Sequence, residues 1–122
     1  MELEIHRVQN ASTPAGEVVI LRALADTNLH YFAVVDATFN ADGSMSNEHR
    51  HVYFFPRKAL KKDEWVVLCS GKGTNGTGKF RDGESYHLFF WQSGTCIWNN
   101  NGADKASLIK YYNGNTVNAP AV

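Results

Sequence analysis

The sequence lacks a net charge, because 12 lysine and arginine residues balance 12 aspartate and glutamate residues in a chain of 122. A neutral chain has no overall field that attracts nucleic acid or an anionic membrane surface. This balance argues against the commonest electrostatic partners, although it is compatible with a local basic patch. The chain also has no apolar run as long as a membrane-spanning helix requires, so we expect no membrane insertion.

Cysteine is scarce, and the start of the chain does not resemble a targeting signal. Cys69 and Cys96 are the only cysteines. The first twelve residues alternate in polarity and contain acids, which is not the pattern of a signal or transit peptide. We therefore expect two buried, reduced thiols, because intracellular compartments keep thiols reduced. A cytoplasmic location is favoured if the chain is complete.

A convincing helical pattern is absent from the whole chain. Most segments instead alternate between apolar and polar residues, or carry β-branched and aromatic residues between short Gly, Asn and Asp turns. A chain of this length is expected to form one domain, residues 1–122. The pattern predicts an all-β fold of two packed antiparallel sheets with eight or nine short strands. These strands are predicted over residues 3–9, 17–26, 29–39, 51–55, 64–70, 84–91, 95–98, 106–112 and 116–119.

The connections between these strands carry further predictions. Residues 71–83 are predicted to be a long loop, and Leu60 an apolar plug beneath a basic connection. Ser93-Gly94 and Asn113-Gly114 are predicted to be the turns of two β-hairpins. Trp65 is expected to serve a structural role in a central strand.

The most specific stretch of the sequence is residues 98–108, WNNNGADKASL. Trp98 ends an apolar run and is a large side chain to bury, which predicts a structural anchor. Asn100 and Gly102 tolerate a positive φ, and Asp104 can accept hydrogen bonds from backbone N–H groups within the turn. We expect a tight structural corner here.

Several segments together resemble the lamin tail domain, including its bacterial stand-alone copies. The similar segments are EVVIL at 17–21, residues 29–36, YFFP at 53–56, Leu60, DEWVVLCSG at 63–71, WNNNGAD at 98–104, Leu108 and Asn113-Gly114. Lys62-Asp63 stands where the family commonly has Pro-Gly, and Ala103 where it often has Gly. The resemblance implies an immunoglobulin-like antiparallel β-sandwich and a non-catalytic interaction module, because tails of this type bind proteins or nucleic acid. A likeness in fold does not by itself transfer a partner.

Two motifs suggest a nucleotide site and a metal site, but each lacks residues that such a site requires. Residues 73–79, GTNGTGK, resemble a phosphate loop, but Phe80 stands where a Ser or Thr must hold magnesium and a turn and strand follow in place of a helix. His49 and His51, with His87 or Glu48, do not make up the four ligands of a closed zinc site. We therefore expect no nucleotide, no metal and no other cofactor.

Three predicted strands carry more aromatic residues than one buried face needs. Either loops cover the second face, or an aromatic patch is exposed for a protein partner or for a second copy of the chain. The candidate residues for this patch are Phe32, Tyr53, Phe55, Phe89 and Trp91.

A second candidate surface is basic. It could contact nucleic-acid phosphates, although Asp63 and Glu64 follow it directly. Its residues are Arg50, Arg57, Lys58, Lys61 and Lys62. Protein binding or self-association is the leading functional hypothesis, with nucleic-acid binding through the connection 57–62 as the alternative. A small hydrolase is a third hypothesis, although no serine has a sequence context that pairs it with a base.

Overall fold

The computed structural model describes residues 1–9, 12–37, 41–44, 51–98 and 105–121. Within these ranges the chain forms ten strands and two single-turn 3₁₀ helices, Pro14–Gly16 and Leu29–Tyr31. The predicted all-β class is therefore confirmed. The strands are β1 Leu3–Gln9, β2 Val18–Ala23, β3 Thr27–Asn28, β4 Phe32–Ala37, β5 Val52–Phe54, β6 Ala59–Leu60, β7 Trp65–Cys69, β8 Gly76–Lys79, β9 Ser85–Phe90 and β10 Lys105–Lys110.

The strands form two main sheets that pack as a sandwich. The five-stranded sheet has the order β1-β2-β7-β9-β8, the three-stranded sheet has the order β10-β4-β5, and β3 pairs with β6 in a small additional sheet. All pairs are antiparallel except β7 with β9, which is parallel. The parallel pair departs from the predicted antiparallel arrangement. It arises because the chain leaves β7, forms β8 at the sheet edge and then turns back to place β9 between them.

One apolar core lies between the two sheets. The five-stranded sheet contributes alternate side chains of β2 and β7, and the three-stranded sheet contributes alternate side chains of β4. This is the period of two that strands impose on a buried face. Leu60 is buried in the same core, which confirms the predicted plug. The buried side chains from these three strands are Val19, Leu21, Ala23, Phe32, Val34, Val66 and Leu68.

A buried carboxylate fixes the segment that leads into the predicted corner. Glu17 Oε1 accepts hydrogen bonds from the Ser70 hydroxyl at 2.6 Å and the Ile97 N–H at 2.7 Å, and Glu17 Oε2 accepts one from the Trp98 N–H at 3.3 Å. Trp98 is buried, as its anchoring role predicts. The other predicted corner residues, Asn100, Gly102 and Asp104, lie outside the described residues.

The predicted loop over residues 71–83 is wrong in part. It contains β8, which pairs with β9 from Gly76 opposite Leu88 to Lys79 opposite Ser85. The glycine-rich sequence concealed this strand because glycine gives no alternating side-chain pattern.

Both predicted hairpins are also wrong. After β9 the N–H groups of Trp91, Gln92 and Ser93 donate to carbonyls of residues 69–71, so this segment is tied to the end of β7. The strand predicted before Asn113-Gly114 is β10, and it pairs with β4 along its full length. Among described residues 111–121 there is no strand. In both places the segment pairs with a strand that is distant in sequence and not with the next segment along the chain.

Candidate functional site

β5 determines which aromatic side chains reach the surface. Its register places Phe54 opposite Ala33 and Val52 opposite Val35. Successive side chains of a strand point to opposite faces. Phe54 is 63 % exposed whereas Phe55 is only 3 % exposed, so neighbouring phenylalanines lie on opposite sides of the sheet.

Three residues of the predicted aromatic patch belong to the core. Phe32, Phe55 and Phe89 are buried, and the rings of Phe55 and Phe89 meet edge to face with centroids 5.4 Å apart. These three side chains therefore cannot form an exposed patch, and the prediction is wrong for them. They fill the space between the two sheets, which explains the apparent excess of aromatic residues.

The remaining two residues of that patch are half-buried. Tyr53 and Trp91 pack against the core, with their ring centroids 5.7 Å apart. Trp91 in turn contacts the ring of Trp98, with centroids 6.1 Å apart. Both residues extend the aromatic core and are not the centre of an exposed surface.

A different apolar surface lies on the outside of the three-stranded sheet. We call it the outer face, and it consists of two rows of side chains that cross the sheet. The rows follow from the register of β4 with its two neighbours. The first row is Phe54, Ala33 and Ile109, and the second row is Val52, Val35 and Ser107.

The outer face combines exposed apolar side chains with a buried centre. Val52 is 39 % exposed and Ile109 is 38 % exposed, whereas Ala33 and Val35 between them are buried. The Tyr111 ring extends the first row, because it meets the Phe54 ring edge to face with centroids 5.9 Å apart. Neither row contains a charged residue. An apolar cluster of this kind on a sheet face is a feature of interaction surfaces.

The candidate basic surface is mixed in charge. Arg57, Lys58, Lys61 and Lys62 are exposed, whereas Arg50 lies outside the described residues. Their backbone groups contact side chains that include two carboxylates. The Lys58 N–H donates to Asn28 Oδ1 at 3.0 Å, the Lys61 N–H donates to Glu64 Oε1 at 2.6 Å, and the Lys62 N–H donates to Asp26 Oδ1 at 2.9 Å.

Asp63 adds a further carboxylate beside this connection. It lies 3.1 Å from the guanidinium of Arg22 and is itself exposed. Its φ of 74° places it in the left-handed region, at the turn that leads into β7. Carboxylates placed among the lysines reduce the local positive potential. The structure therefore supports nucleic-acid binding at this surface less than the run of basic residues in the sequence does.

The histidines considered as metal ligands have separate carboxylate partners. His51 Nδ1 lies 2.7 Å from Asp36 Oδ2, and His87 Nε2 lies 3.0 Å from Glu64 Oε2. Glu48 and His49 are outside the described ranges. Within those ranges, no group of three or more His, Cys, Asp or Glu side chains is placed to hold a metal ion.

Both cysteines are free thiols. Cys69 is buried, and its Sγ lies 3.6 Å and 3.5 Å from the carbonyl oxygens of Pro14 and Ala15. Cys96 is half-buried, and desolvation together with the nearby Glu17 carboxylate raises the pKa of its thiol. A raised thiol pKa lowers reactivity, because the thiolate is the nucleophile.

Comparisons of the chain with protein-family models, curated proteins and solved structures give no significant match. The resemblance to lamin tail domains therefore stays a prediction. No helix in the described part of the chain is long and apolar enough to cross a membrane.

Proposed function

We propose that this chain is a non-catalytic interaction module, a lamin-tail-like domain of immunoglobulin-like type, that associates with a second copy of itself through the outer face. The observation that carries the proposal is the exposure of Phe54, at 63 %, beside Ile109 and the Tyr111 ring. Fully burying a phenylalanine side chain stabilises a folded state or a complex by roughly 1.5 to 3 kcal/mol. An exposed Phe54 does not contribute this free energy to the monomer, but it can contribute it to a dimer.

A second copy suits this face better than a charged partner does. Most homodimers are two-fold symmetric, so the same patch of each subunit meets itself. The two rows contain no charged residue, so contact made by these side chains alone pairs no like charges. Contact centred on Phe54 and Val52 would lie on β5, the three-residue edge strand of this sheet.

Sedimentation velocity across a range of protein concentrations tests this proposal. We expect a concentration-dependent dimer for the unchanged chain and at least roughly tenfold weaker association for Phe54→Ser, since burial of this ring contributes about 1.5 kcal/mol or more. The variant should remain folded by near-ultraviolet circular dichroism, because its side chain is mostly outside the core.

A matched pair of valines provides the control. Val52 on the outer face is 39 % exposed and Val8 on β1 is 38 % exposed. Val52→Ser should weaken association, whereas Val8→Ser should not. A chain that is monomeric at every concentration, or equal weakening by the two substitutions, would contradict the proposal.

A further inference from the structure

A groove lies on the outside of the five-stranded sheet, away from the outer face of the other sheet. Its volume is about 460 Å³. Grooves of this size accommodate small molecules. Trp65 of β7 lines it, with Ile20 of β2 also contributing. Both side chains point away from the core because their strand neighbours, such as Val66 and Leu21, point into it.

The apolar wall of the groove is aromatic and held in place. The Trp65 and Phe80 rings meet edge to face with centroids 5.8 Å apart, and Phe80 packs on Tyr86 at 4.6 Å. The guanidinium of Arg22 lies 5.2 Å from the Trp65 ring centroid. The Trp65 Nε1–H donates to Glu84 Oε2 at 3.0 Å. These contacts fix the wall in advance of any ligand, which lowers the entropic cost of binding.

The rim of the groove has hydrogen-bonding groups of both kinds. Arg7 and Arg81 supply N–H donors, and neither makes an ion pair within the ranges that the structure describes. Asp82 and Glu84 supply acceptors. One Asp82 oxygen already accepts from the Glu84 N–H at 2.9 Å, and carboxylates can accept further bonds.

This combination selects a class of ligand. Two carboxylates in the groove disfavour an anion, and two guanidiniums disfavour a cation, because each would meet a like charge. A purely apolar ligand would use only the aromatic wall and would leave the rim groups, which are exposed, bonded to water. A neutral polyhydroxylated ring satisfies all three conditions, because its hydroxyls donate and accept while its C–H face packs on an aromatic ring.

We propose that this groove binds a pyranose sugar ring, with the apolar face of the sugar against Trp65 and Phe80 and its hydroxyls bonded to Arg81 and Asp82. The proposal goes beyond self-association and does not depend on it. If both hold, the dimer presents two sugar sites and gains avidity for a polysaccharide.

The test is a titration of ¹⁵N-labelled full chain with cellohexaose, xylohexaose, mannohexaose and chitohexaose, followed by NMR. The indole N–H of Trp65 is the reporter, and those of Trp91 and Trp98 are internal references, because both pack at the core. We expect saturable shifts of the Trp65 signal with at least one of these sugars, and no change at Trp98.

Variants distinguish a specific site from weak general contact. Phe80→Ala and Arg81→Gln should each weaken sugar binding at least tenfold, whereas Arg57→Gln, at an exposed arginine in the basic connection, should leave it unchanged. Circular dichroism checks that each variant is folded. Phenyl phosphate is the competing probe, because it pairs an aromatic ring with an anion.

Three outcomes would overturn the proposal. None of the four hexasaccharides shifts the Trp65 signal at 10 mM, or binding is equal in the unchanged chain and in folded Phe80→Ala and Arg81→Gln, or phenyl phosphate binds more tightly than every sugar. None of these results depends on whether the chain forms a dimer.

Discussion

The buried carboxylate of Glu17 holds the segment that carries Ile97 and Trp98. It accepts hydrogen bonds from Ser70, Ile97 and Trp98. A buried carboxylate is acceptable only where donors replace its lost hydration. These donors come from two segments distant in sequence, so Glu17 joins β7 to the segment that carries Trp98.

We predict that Glu17→Gln destabilises the chain by about 2 kcal/mol or more, because the amide NH₂ group that replaces one buried carboxylate oxygen cannot accept a hydrogen bond and faces a donor there, and because the charge that strengthens the remaining hydrogen bonds is lost. Urea unfolding followed by tryptophan fluorescence measures the change. Ser70→Ala, which removes one donor and leaves the carboxylate in place, should cost less. A Glu17→Gln variant within about 0.5 kcal/mol of the unchanged chain would contradict the role assigned to this carboxylate.

Glu64 forms a second linking contact, at a more exposed position. Its Oε1 accepts from the Lys61 N–H at 2.6 Å and its Oε2 lies 3.0 Å from His87 Nε2. The backbone hydrogen bond from Lys61, followed by the contact with His87, lowers the pKa of Glu64 below 4.5. The contact joins the turn before β7 to a side chain of β9.

This shift predicts a specific dependence of stability on pH. Because the folded-state pKa of Glu64 is below the unfolded-state value, the carboxylate contributes stability above about pH 4.5, and this contribution is lost as the pH falls through the folded-state pKa. Solvent screening limits it to about 1 kcal/mol or less.

Unfolding free energies from pH 7 to pH 3 test this prediction. The difference between the unchanged chain and Glu64→Gln should shrink as the pH falls. Glu4→Gln, at an exposed position on β1, is the control and should show a smaller difference at neutral pH. Parallel curves for the unchanged chain and Glu64→Gln would count against the inferred contact.

At the scale of elements, β5 illustrates what a short strand leaves undetermined. Tyr53, Phe54 and Phe55 are consecutive aromatic residues, so hydrophobicity does not reveal which ones point inward. A shift of one residue in register exchanges the two faces. The pairing of β5 with β4 decides the matter and exposes Phe54. The only sequence clue is the run YFFP itself, where one of three adjacent aromatic residues must face away from its neighbours.

β8 requires glycine at one position because a neighbouring ring leaves no room for a Cβ atom there. A Cβ at Gly78 would lie only 2.5 Å from the Tyr86 ring, whereas a Cβ at Gly76 would meet nothing within 4 Å. Gly78 and Tyr86 face each other across the β8–β9 pair. The glycine lets the tyrosine ring lie over the strand and pack on Phe80.

We predict that Gly78→Ala displaces the Tyr86 ring and costs about 1 kcal/mol or more, as expected for overpacking. Gly76→Ala on the same strand is the matched control and should be close to neutral or slightly stabilising. Thermal unfolding of the two variants measures the difference. Equal melting temperatures for both variants would show that the ring relaxes without cost.

At the scale of the whole molecule, the two sheets are linked at their edges as well as through the core. Lys110 at the end of β10 forms an ion pair with Glu2, next to the start of β1. The Lys110 ammonium also lies 4.6 Å from the Tyr112 ring centroid. This contact connects the edge strand of one sheet to the edge strand of the other.

The outer face and the groove differ in chemistry, and the proposals differ accordingly. The outer face of the three-stranded sheet is apolar and uncharged in its two rows, so it can pack against the same face of a second copy. The groove on the five-stranded sheet combines an aromatic wall with donors and acceptors, which suits a polar ring. Because they lie on opposite sides of the sandwich, occupation of one does not block the other.

Alternation, turn residues and large apolar side chains are local signals, so the amino-acid pattern is enough to predict the all-β class, the buried plug Leu60 and the buried Trp98. Three features emerge only in the folded chain, namely the parallel pairing of β7 with β9, the exposure of Phe54 and the grouping of Trp65, Phe80 and Arg81 around one groove. These features depend on contacts between residues distant in sequence, and local patterns do not specify which distant strand will be the partner.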